Sequence, residues 1–236
     1  MRQVLLGIGV TVLLASTAQV AAAQHAVGSI QAIRDIDNTR AIRDAGDVPR
    51  DLSMGPPDRL CPLVKGASAE VNNYVTARLR QVAKEVGARY APYACEPNMV
   101  VLFSSEPDRL LDEASRQGRI NYRGVSGPEA ERFKTSRQPV RWMHGRPGAA
   151  TRDARPYNAL VVVDAGKVAD TKVSALADYV SMVTLADIRP GVTQTGEPSI
   201  LNMFDGDKSA APERLTDADK AYLRRVYKAR RGVMTP

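Results

Sequence analysis

The fold is decided by one stretch of sequence, ALVVVDAGKVADTKVSALADYVSMVTLAD, at residues 159–187. It opens with the apolar, β-branched run Leu160–Val163, which is typical of a buried strand. After a short link, apolar side chains return at helical spacing from about residue 174 to residue 187, and a Pro-Gly pair ends that pattern. The side chains that share one helical face are Leu176, Tyr179, Val180 and Val183. A buried strand followed by such a helix predicts a sheet with helices packed against it.

The same two patterns recur on both sides of this stretch. Upstream, one apolar helical face predicts a helix over 68–86 that Ser68 caps and Gly87 ends. Downstream, Thr216 and the acids after it predict a last helix that Gly232 closes. The other predicted elements are a strand at 99–103, a helix at 107–117, a short helix at 128–136 and a strand at 140–143. This order predicts a single α+β (mixed α/β) domain over residues 61–236, with a small sheet flanked by helices.

The first residues have the form of an export signal. Arg2 precedes an apolar run and a small-residue site, so cleavage is expected between Ala23 and Gln24. The apolar run of about twelve residues is too short to cross a bilayer as a helix, and no later stretch approaches the required length. Residues 24–60 are poor in large apolar side chains and predict a flexible N-terminal arm. The expected location is periplasmic or secreted, without a transmembrane segment.

The chain has two cysteines, Cys61 and Cys95. In an exported protein they most simply form a disulfide, which would clasp the two flanks of the helix predicted over 68–86. A redox pair is expected as Cys-x-x-Cys, which this wide spacing does not match, and a metal site from two lone cysteines is disfavoured. We therefore expect a structural disulfide.

The composition excludes several classes of chemistry. Hydrophobic residues make up 44% and charged residues 25%, as in a soluble globular protein. Because His25 and His144 are the only histidines, a site that needs two or three of them within one folded domain cannot be built. The serine-nucleophile elbow, the phosphate-binding loop and the Ser-x-x-Lys motif are all absent from the mature sequence. We predict no cofactor and no metal site.

Carboxylates are the remaining candidates for catalysis. Asp164 ends the strand at 160–163, Asp178 lies on the following helix, and Asp205 and Asp207 lie in a turn. Carboxylates that converge can act as acid and base or bind calcium, whereas separate ones have ordinary turn or surface roles. Asp164 and Asp178 are the first candidates for the catalytic carboxylates of a hydrolase.

The net charge of +7 is concentrated in two places. The first holds the candidate anion-binding residues around His144, which are Arg137, Arg141, Arg146, Arg152 and Arg155. Guanidinium groups grip a phosphate or carboxylate where they converge, and are solvated separately where they do not.

The second concentration of positive charge is a stripe on the last predicted helix. Its members are Lys220, Arg224, Lys228 and Arg231. A solvated helix face whose late cations complement the helix dipole also explains this stripe. Because aromatic residues make up only 5% of the chain, nucleic-acid binding is disfavoured, and an anionic envelope component or an envelope protein is the expected partner.

Three stretches together resemble an uncharacterised family of exported proteobacterial proteins. They are Val161–Asp164, Leu176–Ala186, and Pro198–Asp205 followed by Leu215–Asp217. The resemblance runs from about Cys61 to the C-terminus. It implies a shared fold, and no known chemistry is attached to its motifs.

The order of elements also resembles that of metzincin-type zinc peptidases, whose helix carries the motif His-Glu-x-x-His-x-x-Gly-x-x-His. On this chain the corresponding positions are Ala177, Asp178, Ser181, Thr184 and Asp187. An alanine cannot ligate a metal, a serine is a poor ligand, and only the two aspartates keep acidic chemistry. This resemblance implies a zincin-like scaffold that lacks the zinc ligands.

The sequence leads to one expected function and one alternative. We expect a non-catalytic binding or interaction protein of the cell envelope, because no recognisable catalytic set is present. The alternative is a hydrolase, peptidase-like or carboxylate-dependent, that acts on envelope material.

Overall fold

The structure is a computed structural model that describes residues 59–91, 95–120, 122, 125–145, 158–186, 188, 198–205 and 212–228. The predicted signal peptide, its cleavage site between Ala23 and Gln24, and residues 24–58 of the predicted arm lie outside the described residues. Leu60, at the end of that arm, is buried and forms an isolated parallel bridge with Tyr90. The ordered core therefore includes the residue just before Cys61.

The described residues form a single α+β domain with a small mixed sheet, as predicted. The strands are β1 (Pro62–Lys65), β2 (Met99–Ser104), β3 (Val140–Gly145) and β4 (Asn158–Asp164). The helices are α1 (Ala69–Glu85), α2 (Pro107–Arg116), α3 (Gly127–Thr135), α4 (Val173–Leu185) and α5 (Asp217–Lys228), with a 3-10 helix at Ile200–Phe204. The sequence did not predict β1 or the 3-10 helix, because four or five residues are too few to establish a period.

The strand order in the sheet is β1-β2-β4-β3. The strands β1, β2 and β4 are parallel, and β3 runs antiparallel beside β4. In register, Val101 of β2 lies between Val64 of β1 and Val161 of β4. All residues of β2 and β4 are buried, which is the pattern of central strands covered on both faces.

Side chains alternate across the sheet and build two separate cores. On one face, Val101, Phe103 and Val161 pack with the buried residues of α1, α4 and α5. On the other face, Leu102 and Val162 pack with the apolar residues of α2 and α3. The domain therefore has three layers, with α1 and α4 on one side of the sheet and α2 and α3 on the other.

Helix α4 is buried on almost every side, which the sequence pattern of one apolar face did not predict. Ser174 is its only exposed residue. The neighbours that contact it are α1, α5, the 3-10 helix and the strands β3 and β4. Most of its buried side chains are apolar, as expected for a helix surrounded in this way, and Asp178, Ser181 and Thr184 are buried polar exceptions.

Three side chains satisfy carbonyl groups at the C-terminal end of α4. His144 Nε2 donates to the Val183 carbonyl at 2.7 Å, and the Tyr227 hydroxyl donates to the Leu185 carbonyl at 2.8 Å. Just beyond the helix, Trp142 Nε1 donates to the carbonyl of Ile188 at 2.7 Å. These carbonyls have no partner inside a helix, so the donors from β3 and α5 fix where α4 ends.

The predicted disulfide is confirmed. Cys61 and Cys95 are joined, with their Cα atoms 6.0 Å apart. The bond links the residue before β1 to the segment before β2, so it closes the loop that contains α1. Neither cysteine is free.

Replacing both cysteines, Cys61→Ser with Cys95→Ser, is expected to lower the free energy of unfolding by about 3–4 kcal/mol, because a loop with a sequence separation of 34 is no longer closed in the unfolded chain. Urea unfolding followed by the fluorescence of Trp142, the only tryptophan, measures this change. Dithiothreitol should lower the midpoint of the wild type and leave that of the variant unchanged. Equal midpoints for oxidised wild type and variant would contradict the expectation.

Candidate functional site

The carboxyl ends of the parallel strands form the edge of the sheet where a site is expected. Ligands of open α/β sheets bind at this edge. Here β2 ends at Ser104 and β4 ends at Asp164, and the antiparallel β3 begins at the same edge with Val140. Several of the charged residues singled out from the sequence therefore lie close to one another.

Asp164 organises the turn that follows β4. Its Oδ1 accepts a hydrogen bond from the backbone N–H of Lys167 at 3.3 Å, and its Oδ2 lies 3.3 Å from Lys167 Nζ. The same ammonium group donates to the carbonyl of Arg137 at 2.8 Å. Because the Asp164 side chain is only 12% exposed, its carboxylate mainly joins this turn to the segment before β3.

Two of the predicted anion-binding arginines meet the carboxylate of Asp108 on α2. Arg141 Nη1 lies 2.6 Å from Asp108 Oδ1 and donates to the Lys134 carbonyl at 3.0 Å, and its side chain is 2% exposed. Arg137 Nη1 lies 3.7 Å from Asp108 Oδ2 and is 87% exposed. Arg141 thus links the first turn of α2 to the last turn of α3, whereas Arg137 faces solvent.

The other three members of the predicted anion-binding set, Arg146, Arg152 and Arg155, lie outside the described residues. The anion-binding site around His144 therefore stays a prediction. His144 itself is buried and points its ring toward α4.

Asp178 is the most enclosed of the candidate catalytic residues. Its side chain is 2% exposed, and Arg78 of α1 binds both carboxylate oxygens, Nε with Oδ1 and Nη2 with Oδ2 at 3.0 Å. The backbone N–H of Leu215 also donates to Oδ2, at 2.8 Å. Hydrogen bonding to Asp178 raises the pKa of the Arg78 guanidinium. One carboxylate thereby connects α1, α4 and the segment that enters α5.

The other positions that correspond to the zinc-peptidase motif also lie inside the protein. Ala177, Ser181 and Thr184 are fully buried, and Ser181 Oγ donates to the Ala177 carbonyl at 2.7 Å. Thr184 Oγ1 has no hydrogen-bond partner in the described part of the chain. Asp187 lies outside it. Within the described ranges, no group of three or more His, Cys, Asp or Glu side chains is arranged to hold a metal ion.

Asp219 has a role that the sequence analysis missed. The sequence places it in the first turn of the last helix. Its carboxylate accepts hydrogen bonds from Ser199 Oγ at 2.5 Å and from the backbone N–H of Ile200 and of Thr216, both at 2.9 Å. The Thr216 hydroxyl in turn accepts from the N–H of Asp219 at 3.1 Å. This reciprocal capping between residues three apart is a pattern that the sequence could have revealed. Asp205 is exposed at the end of the 3-10 helix, and Asp207 is not among the described residues.

Helix α5 carries three cations on the part of its surface that is not buried. Leu223, Val226 and Tyr227 are buried. Arg224 and Arg225 are exposed and Lys220 is partly exposed. Among the ion pairs of the described residues, none involves these three cations. We call Lys220, Arg224 and Arg225 the basic face of α5.

Comparison with protein families, with curated proteins and with solved structures finds no match to this chain. None of the helices that the structure describes has the length and apolar character required to cross a membrane.

Replacing Asp178 with Asn is expected to lower the free energy of unfolding by about 2–4 kcal/mol, because the partly buried Arg78 guanidinium loses its closest counter-charge and keeps only Glu85, 4.0 Å from Nη1. Asp112→Asn, at an exposed carboxylate on α2, is the matched control and should change stability by no more than about 0.5 kcal/mol. Urea unfolding of the two variants and the wild type provides the measurement. A similar shift in both variants would show that Asp178 has no special structural role.

Proposed function

We propose that this chain is an exported, non-catalytic binding protein of the cell envelope. The observation that carries the proposal is the environment of Asp178. A general acid or base must reach the proton that it transfers. The Asp178 carboxylate is 2% exposed and is engaged by Arg78 and by the N–H of Leu215, so the hydrolase alternative loses one of its two first candidates.

Other reactive side chains of the described residues are used in the same way. Asp164 is held in the turn after β4, His144 donates to α4, and both cysteines are in the disulfide. Because these groups have structural roles, they favour a protein that binds a partner at its surface over one that catalyses a reaction. The basic face of α5 is one part of that surface where cations lie close together without ion pairs to described carboxylates.

Export is part of the proposal. Disulfides persist in oxidising compartments, and the bond between Cys61 and Cys95 fits such a location. The apolar run and small-residue cleavage site at the start of the sequence point to the same compartment.

A zincin-like scaffold without zinc also belongs to the proposal. It is supported by the order of elements, in which a helix follows the central strand β4 and is itself followed by a short 3-10 helix and the C-terminal α5. Ala177 occupies a position where the motif has a histidine. Because alanine cannot ligate a metal, we expect no zinc on this helix.

The proposal is tested on mature protein prepared from periplasm without chelators or a histidine tag. We expect no stoichiometric zinc by elemental analysis, no hydrolysis of casein, peptidoglycan or phospholipid, and co-sedimentation with isolated bacterial envelopes. Turnover that disappears in Asp164→Asn while the unfolding midpoint stays constant would establish a carboxylate-dependent hydrolase instead. Stoichiometric zinc would also overturn the proposal.

Export predicts a specific product when the full chain is expressed with its own N-terminus. The mature protein should begin at Gln24, and its mass should be lower by two hydrogens because Cys61 and Cys95 are oxidised. Intact-mass spectrometry before and after alkylation of free thiols measures both properties. A protein that keeps residues 1–23 and alkylates at both cysteines would contradict export.

A further inference from the structure

We propose that the basic face of α5 docks the protein on an anionic phospholipid surface. This inference rests on the proposed role as an envelope-binding protein and names the partner of that role. The charges on α5, their spacing and the way the helix is fixed in the domain all favour such a partner.

The C-terminal part of α5 belongs to a strongly basic segment. Residues 220–231, KAYLRRVYKARR, contain six cations and no acid. The acids of α5 both lie before this segment, in the first turn. Asp219 is buried and accepts three hydrogen bonds, so Asp217 is the exposed acid of the helix. Four of the six cations lie within α5, and clusters of four to eight Lys and Arg residues on an amphipathic helix are typical of binding to anionic lipids.

The spacing of the cations suits an extended array of negative charges. Lys220 and Arg224 are four residues apart, which is about 6 Å along a helix axis, and Arg225 follows directly. A small anion is held by donors that converge on it, as in bidentate arginine sites. Because successive residues of a helix are about 100° apart, these three cations instead spread over about 140° of its circumference, which fits the separated charges of many lipid headgroups.

The rest of α5 determines the mode of docking. Leu223 and Val226 are buried in the core, and the Tyr227 hydroxyl is bound to the Leu185 carbonyl. The apolar side of the helix is therefore committed to the fold and does not insert into the bilayer. Docking is therefore electrostatic, and the half-buried Tyr222 ring packs against the core with its centre 5.9 Å from the Arg225 guanidinium carbon.

The first test is co-sedimentation of the mature protein with two kinds of vesicle, phosphatidylcholine alone and phosphatidylcholine mixed with phosphatidylglycerol. We expect binding to the anionic vesicles only, and its loss as NaCl rises from about 0.05 M to about 0.5 M, because the screening length falls. Equal binding to both vesicles, or binding that survives high salt, would overturn an electrostatic docking face.

The second test locates the charge that matters. Arg224→Glu with Arg225→Glu should weaken partitioning onto anionic vesicles by at least about tenfold. The matched control is Arg109→Glu with Arg116→Glu on α2, which changes the net charge equally at side chains that are 69% and 73% exposed. The control should keep partitioning within about twofold, because α2 packs on the opposite face of the sheet. Equal weakening in both double variants would attribute binding to net charge and overturn the assignment to α5.

Two further measurements separate the possible failures. Arg224→Gln with Arg225→Gln removes the charges without introducing acids, and its melting temperature shows whether lost binding reflects lost folding.

Wild type that sediments with isolated envelopes but not with anionic vesicles would overturn the lipid proposal and leave the envelope-binding role standing. Wild type that binds neither would overturn both. Binding to duplex DNA as tight as binding to vesicles at the same salt would assign the basic face to nucleic acid instead.

Discussion

The paired contact between Asp178 and Arg78 is the interaction on which the rest of the structure depends. Helix α4 lies on one face of the sheet and is surrounded by other elements, so a carboxylate on it is buried without water to solvate it. Such a group is tolerated only where donors replace the lost hydration. Arg78 supplies two from α1, and Leu215 supplies one from the entry to α5. One buried charge therefore fixes the relative positions of three elements.

A second buried carboxylate extends this arrangement to the C-terminal helix. The backbone N–H groups of the consecutive residues Leu215 and Thr216 donate to Asp178 and to Asp219, respectively. Asp219 also binds Ser199 and Ile200, so the 3-10 helix and the start of α5 are held by one side chain. These contacts set the rotation of α5 about its axis. The buried anions of the domain thus determine which side of α5 presents its cations to solvent.

Side chains with catalytic potential also have structural roles in the described part of the chain. Helix α4 uses Asp178 as a cross-link and buries the small residues Ala177 and Ser181 against its neighbours. At the other end of that helix, His144 serves as a hydrogen-bond donor to a carbonyl. Side chains that make a reactive site when open to solvent make a rigid scaffold when each is satisfied inside the protein.

The sequence by itself determined the local elements and the disulfide. Apolar periods and caps such as Ser68 fixed the helices, β-branched runs fixed β2 and β4, and two cysteines left one pairing. Only the tertiary structure decided the strand order, the short strand β1, and the partner of Asp178, which lies 100 residues away in the chain. It also decided that Arg141 is enclosed while Arg137 faces solvent. The physical reason is the distance along the chain over which each interaction acts. Periodicity and capping act over a few residues, whereas the pairing of buried polar groups depends on which distant segments the packed core brings together.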